Sequence, residues 1–162
     1  VYAVEPSAGL LRLLRQRAKS RGDTGRIVPL PGRFDQIPLG YYSVGLTISC
    51  SAFTLDPAAG GEAGLVELKR VTRPGGRIVI IWPRRADHAW LAAQGFRYVA
   101  MPVAGEMTVR FRSLRSAVQC ALRFYSRNDA VLRHLLTRQR PEIPFSLLDM
   151  DPPHDYCWMT VE

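Results

Sequence analysis

A helix, a glycine turn and a strand follow one another directly at residues 67–83, ELKRVTRPGGRIVIIWP. Pro74 cannot continue a helix, and Gly75 and Gly76 permit the positive φ angles of a tight turn. The strand that follows is apolar at nearly every position, which is typical of a strand buried inside a parallel sheet. A sheet layered with helices is therefore the arrangement that this segment favours.

Strands and helices alternate along the first two thirds of the chain. Strands are predicted at residues 1–5, about 26–30, about 44–50, 77–82 and 96–103. Helices are predicted between Ser7, as N-cap, and Gly22, as stop, and at about 61–71 and 86–94. The run at 44–50 is almost continuously apolar, which predicts burial on both faces. This order predicts an α/β sheet with right-handed crossovers.

Residues 105–150 have a different pattern. SLRSAVQCALRFY and NDAVLRHLLTRQR are two helical candidates, and Pro141 and Pro144 end the second. A last strand is predicted at 156–162. We therefore expect a single domain over residues 1–162, with a helical insertion at about 105–150 whose helices cover either a substrate or one end of the sheet.

The composition is that of a globular protein, with 47% apolar and 22% charged residues. No run approaches the roughly 20 apolar residues of a membrane span, so a cytoplasmic location is the default. The net charge of +8 comes from scattered cations, nearly all Arg, which favours a solvated surface over nucleic-acid binding. The three Cys and three His residues lack the spacing of metal ligands.

Glu5 stands where the first predicted strand ends. Open parallel sheets bind ligands beyond the carboxyl ends of their strands. A carboxylate there can accept two hydrogen bonds from a ribose diol. Taken alone, an acid in this position is also typical of a helix-capping or solvated group.

Five segments together resemble a known family. In order they are AVEPSAGLLRLLRQRA, VPLPGRFDQIPL, YSVGLTISCSAFTL, GLVELKRVTRPGGRIVIIWP and WLAAQGFRYV. They are similar to class I S-adenosylmethionine-dependent methyltransferases, most of all to the type 11 or ubiquinone-biosynthesis-like group, over about residues 1–103. The resemblance implies a three-layer Rossmann-like sheet, mostly parallel with an antiparallel last strand. It also implies S-adenosylmethionine as cofactor and a small molecule as methyl acceptor.

The resemblance also implies where the adenosine part of the cofactor binds. Glu5 would hold the ribose hydroxyls, and Pro6 and Ser7 would follow along the adenosine edge. Arg33 and Phe34 stand where the family usually has an acid and a small residue beside adenine. Phe34 either stacks on the adenine or belongs to the core, and both alternatives remain open.

The reacting end of the cofactor would lie where the fourth strand of the family ends. Ser49 and Cys50 match that position. Methyl transfer is a direct displacement driven largely by positioning, so no covalent nucleophile is required and no catalytic residue is assigned. His88 is either a general base or a surface histidine. At Gly45 the family usually carries an aspartate, so one polar anchor is missing.

The resemblance begins at the family's second strand. Its first strand and its Gly-rich loop have no counterpart before Val1, so we expect an N-terminally incomplete sheet. A preceding segment could supply that strand, a partner chain or a second copy could supply it, or the two flanking strands could pair directly. The functions to weigh are a small-molecule methyltransferase, a truncated or degenerate module that works through a partner chain, and an RNA or DNA methyltransferase.

Overall fold

The computed structural model describes residues 1–148 and 150–162. These residues divide into two compact units, residues 1–99 with 155–162 and residues 100–154. The elements in chain order are β1 Tyr2–Glu5, α1 Ala8–Ser20, β2 Val28–Pro31, β3 Val44–Cys50, α2 Gly61–Val71, β4 Thr72–Ile81, α3 His88–Ala93, β5 Arg97–Ala100, β6 Thr108–Arg110, α4 Leu114–Phe124, α5 Asp129–Arg138, β7 Glu142–Pro144 and β8 Asp155–Thr160. Among these residues, no helix is long and apolar enough to span a bilayer.

The strands of the first unit form two sheets. β1 pairs with β2 in parallel, and the other sheet has the order β3-β4-β8-β5. β3 and β4 are parallel, whereas β8 runs antiparallel to β4, which confirms the predicted antiparallel last strand. Direct pairing of β1 with β3 is not found in the part of the chain that the structure describes.

The predicted elements are confirmed with shifts at their ends, and one pair of strands was missed. β6 and β7 pair antiparallel within residues 105–150, where only helices were predicted. Three-residue strands are too short to display an alternating pattern, and Pro144 was interpreted only as a helix stop. The pair packs with α4 and α5 around the second unit's apolar cluster, which includes Val131, Leu135 and Ile143.

The turn between α2 and the regular part of β4 is a bulge in the sheet. Val44 is paired with Thr72 but Leu46 with Arg77, so extra residues of β4 loop out opposite Gly45. Gly75 has the predicted positive φ, +73°. The same prediction for Gly76 was wrong. Gly76 is needed because a Cβ there would lie 2.9 Å from the carbonyl oxygen of Gly45.

One face of β3 is exposed, which contradicts the prediction that both of its faces are buried. Leu46 and Ile48 are 52% and 56% exposed. The opposite face packs well, because Ile78 and Ile80 of the neighbouring β4 are buried in the core cluster with Leu65 and Leu68 of α2. A continuous apolar run therefore does not by itself establish that both faces are covered.

An ion pair fastens the segment after β2 to α2. The Glu67 carboxylate accepts hydrogen bonds from Arg70 at 2.6 and 2.8 Å and from the backbone N–H of Ile37 at 2.8 Å. Arg70 also donates to the carbonyl oxygens of Ile37 and Leu39. The hydrogen bonds from Arg70, together with that from Ile37, outweigh partial burial and hold the pKa of Glu67 below its ordinary value of 4.5.

Glu67→Gln is expected to flatten the acid dependence of folding stability. Because the folded-state pKa of Glu67 is depressed, its contribution is present above pH 4.5 and is lost as the pH falls through the folded value. The variant should therefore lose stability at pH 7 and show a shallower decline below about pH 5. Urea unfolding from pH 7 to pH 3 measures this, with Glu62→Gln on the exposed side of α2 as the matched control. Equal pH profiles for both variants would contradict the role of the ion pair.

Candidate functional site

The loops that follow β2 and β3 meet at one rim of the first unit. Phe34, shortly after β2, packs edge to face on Phe53, shortly after β3, with ring centroids 5.4 Å apart. Phe53 is buried and stacks on Trp90 of α3 at 6.1 Å. Since each loop follows the carboxyl end of its strand, these aromatic rings lie at the edge where open α/β sheets bind ligands.

Glycines make room for Phe53. A Cβ at Gly60 would lie 2.5 Å from the ring and one at Gly64 would lie 2.9 Å from it. Gly60 also has a φ of +120° at the N-cap of α2. Packing and a turn therefore account for these glycines.

The Glu5 side chain is held at the end of β1. Its Oε1 accepts a hydrogen bond from the Ser7 backbone N–H at 2.8 Å. Oε2 makes no hydrogen bond to any residue that the structure describes. Ser7 is the N-cap of α1, as its position predicts, and accepts from the N–H of Leu10. Pro6 is exposed in the turn between the two elements. One carboxylate oxygen is thus anchored and the other is available.

The two residues expected beside adenine have different surroundings. The exposed Arg33 donates to Asp35 at 3.1 Å. Phe34 is partly buried and packs against the first unit's core. The contacts of Phe34 therefore support the core alternative, and its stacking on adenine remains a prediction.

Ser49 and Cys50 lie on opposite faces of β3. Ser49 is buried, and its Oγ has no hydrogen-bond partner among the described residues. Cys50 is an exposed free thiol on the face that also carries Ile48. The strand's alternation therefore separates the two side chains that the sequence placed together.

Three polar side chains converge beneath α3. Asp155 begins β8 and is 6% exposed. Its Oδ2 accepts a hydrogen bond from the Tyr98 hydroxyl at 3.2 Å and lies 3.9 Å from Nε2 of His88. The rings of His88 and Tyr98 are 4.9 Å apart. The carboxylate thus accepts a hydrogen bond from the phenol and lies near the imidazole without a hydrogen bond to it.

Several polar atoms in and around this group have no hydrogen-bond partner among the described residues. Asp155 Oδ1, Asp87 Oδ2, Trp90 Nε1 and His88 Nε2 are buried without such a partner in the described part of the chain. Buried polar atoms without partners are costly, so these atoms are available to hydrogen-bond a ligand or water. Among the described residues, no group of three His, Cys, Asp or Glu side chains could hold a metal ion.

Burial and the Asp155 charge shift two neighbouring groups. Loss of solvation raises the pKa of Tyr98, and the Asp155 carboxylate raises it further. Burial, with a smaller contribution from Asp155, raises the pKa of Cys157 to about 11. Both side chains therefore stay protonated at neutral pH, and Tyr98 remains a donor to the carboxylate.

Of these three residues, only His88 was singled out from the sequence, as either a general base or a surface histidine, and no role was predicted for Tyr98 or Asp155. Asp155 lies 57 residues beyond Tyr98 in the sequence, and the three residues match no linear motif. The pairing of β8 beside β5 brings Asp155 to Tyr98.

Several solved structures are similar to the chain. A SAM-dependent methyltransferase from Aquifex aeolicus is 20% identical, with 64% of this chain and 62% of that chain covered and a TM-score of 0.53. A geranyl diphosphate methyltransferase in complex with SAM is 14% identical, with 100% and 68% covered and a TM-score of 0.54. The YcgJ protein from Bacillus subtilis is 11% identical, with 97% and 77% covered and a TM-score of 0.57.

These likenesses concern the fold alone, because their sequence identities are low. The [4+2]-cyclase SpnF is also similar, at 13% identity and a TM-score of 0.55, so one fold accompanies more than one chemistry. The matched part spans 62% of the Aquifex enzyme's length. No protein-family model and no curated protein sequence matches this chain.

Proposed function

We propose that this chain, whose fold is that of class I SAM-dependent methyltransferases, transfers a methyl group from S-adenosylmethionine to a small molecule. The observation that carries the proposal is the Glu5 carboxylate at the end of β1. One of its oxygens is anchored by the Ser7 N–H, and the other is available to a ribose hydroxyl. We assign this side chain to the cofactor's ribose.

The remaining cofactor contacts belong to the same proposal. Pro6 and Ser7 would follow the adenosine edge, and Arg33 and Phe34 would border the adenine. The buried hydroxyl of Ser49, which lacks a partner among the described residues, supports a role facing the reacting group. The bound cofactor supplies an electrophilic methyl on a sulfonium. The chain's own residues supply orientation and exclusion of water.

We also assign the proton that the acceptor loses to His88. With the buried Nε2 lying 3.9 Å from Asp155 Oδ2, the imidazole has Nδ1 left to accept a proton from an acceptor O–H or N–H. Asp155 would orient the ring and stabilise its charged form, while Tyr98 holds the carboxylate in place. This arrangement suits an acceptor that must be deprotonated as it is methylated.

A second candidate function rests on the sheet edges. β1 and β3 each pair on one edge only, with β2 and β4, in the part of the chain described. Unpaired edges of this kind accept an added strand. We propose that a strand from a preceding segment, a second copy or a partner chain lies between them. If the chain is a degenerate module rather than an enzyme, that strand addition is its function. A cytoplasmic location fits either alternative and remains our proposal.

Calorimetric titration with S-adenosylhomocysteine tests the proposal. We expect measurable binding by the full chain. Glu5→Gln should weaken it roughly tenfold or more, the effect of losing a hydrogen bond to a charged group. Glu62→Gln, an exposed acid of α2, is the control and should bind normally.

Two outcomes would contradict parts of this assignment. Binding that Glu5→Gln leaves unchanged would refute the ribose contact. The absence of binding heat at millimolar ligand would reject the methyltransferase proposal for this chain and favour the non-catalytic module.

A further inference from the structure

The second unit contains a cavity that the proposed function does not use. It has a volume of about 510 Å³. β6, α5 and the segment that leads into β7 form its walls, which include Thr108, His134, Thr137, Arg138, Arg140 and Glu142. We refer to it as the Arg138–Arg140 cavity. It is open to solvent, because Thr108, Thr137, Arg138 and Arg140 are exposed. Its volume alone falls within the range of small-molecule sites, roughly 300–1,000 Å³.

The walls of this cavity stand on a packed core. Val131 and Leu135 on the inner side of α5, and Ile143 in the middle of β7, are completely buried. β7 is also paired with β6 in antiparallel register, with Thr108 opposite Pro144. The polar side chains of the cavity are therefore presented by elements that are fixed relative to each other.

The charge of the cavity is unbalanced. Glu142 is already paired with Arg110, at 2.9 Å. Arg138 and Arg140 have no ion pair or hydrogen bond through their side chains with any residue in 1–148 or 150–162. Both side chains are exposed and line the same cavity, so an anion bound there would be attracted to two positive charges.

The C-terminus of α5 carries a partial negative charge that would oppose an anion. This end is capped, however. Gln139, with a left-handed φ of 52°, donates its backbone N–H to the carbonyl oxygen of Leu135 and its side-chain amide to that of Leu136. Two of the final carbonyl groups are therefore occupied, and the guanidinium charges dominate.

We infer that the Arg138–Arg140 cavity binds the phosphate or diphosphate group of a small molecule. Arginine presents planar, paired donors that match phosphate oxygens. The hydroxyl groups of Thr108 and Thr137 and the ring of His134 add donors around the same space. The inference rests on the second unit alone and is independent of the proposed methyl transfer.

Calorimetry of the full chain with inorganic diphosphate tests this inference. We expect saturable binding that weakens about tenfold or more in Arg138→Gln and in Arg140→Gln, because each loses a charge-assisted contact. Arg138→Lys keeps the charge but loses the paired donors, so its affinity should fall between that of the wild type and that of Arg138→Gln. Arg133→Gln, an exposed cation of α5 outside the cavity, is the matched control and should bind like the wild type.

The alternative occupant is a nucleic acid, which a ten-nucleotide RNA tests under the same conditions. If RNA binds and Arg133→Gln weakens it as much as Arg138→Gln does, the surface is a diffuse basic patch and the inference is wrong. The absence of diphosphate binding at millimolar concentration would also overturn it. Circular dichroism of each variant shows whether a loss of affinity reflects unfolding, and a variant that remains folded but binds normally would refute the role of its arginine.

Discussion

Replacing Phe53 by alanine is expected to lower the free energy of unfolding by about 3–5 kcal/mol. The ring is 3% exposed and contacts both Phe34 and Trp90. Gly60 and Gly64 lie directly against the ring and have no side chains that could fill the space it leaves. The substitution should therefore leave a cavity. Urea unfolding followed by fluorescence measures the loss.

The control for this prediction is Phe124→Ala, which removes the same atoms from a ring that is 69% exposed. It should cost less than about 1 kcal/mol. Phe53→Leu, which retains part of the buried area, should have an intermediate effect. Equal losses for Phe53→Ala and Phe124→Ala would show that Phe53 does not hold the loops after β2 and β3 together.

Gly76→Ala is expected to cost about 2–3 kcal/mol, because it forces a methyl group against fixed backbone. The new Cβ would lie 2.7 Å from the carbonyl oxygen of Arg73 and 2.9 Å from that of Gly45. The bulge of β4 cannot relax without disturbing its pairing with β3. Thermal unfolding of the purified variant provides the measurement.

Substitutions at two other glycines distinguish steric contact from backbone strain as the cause of this effect. Gly25→Ala has open space around it and should be nearly neutral or slightly stabilising. Gly75→Ala also has open space, but its φ of +73° should cost about 1–2 kcal/mol. If Gly76→Ala behaves like Gly25→Ala, the explanation by close contact between the bulge and β3 is wrong.

Much of the fold was predictable because it depends on local patterns. The N-cap at Ser7, the helix stop at Pro74 and the strand at residues 77–82 each follow from neighbouring residues. The antiparallel last strand was predicted from a resemblance, and its pairing with β4 confirms it. The short strands β6 and β7 were missed because three residues carry no usable period.

The candidate site was less predictable. Glu5 could be singled out because it ends a strand, and Ser49 and Cys50 because the resemblance placed the cofactor's reacting end there. Their placement on opposite faces follows from alternation, but which face is covered depends on the helices that pack there. The grouping of His88, Tyr98 and Asp155 depends on strand order, which is a long-range property.

The amino-acid sequence by itself determined where the helices and strands of the first unit lie, since capping, turn formation and apolar periodicity act over a few residues. The tertiary structure alone decided which faces are buried, why Gly76 must be glycine, and which residues lie against the Asp155 carboxylate. Those features arise from contacts between segments far apart in the chain, and their energies depend on distances that no local pattern encodes.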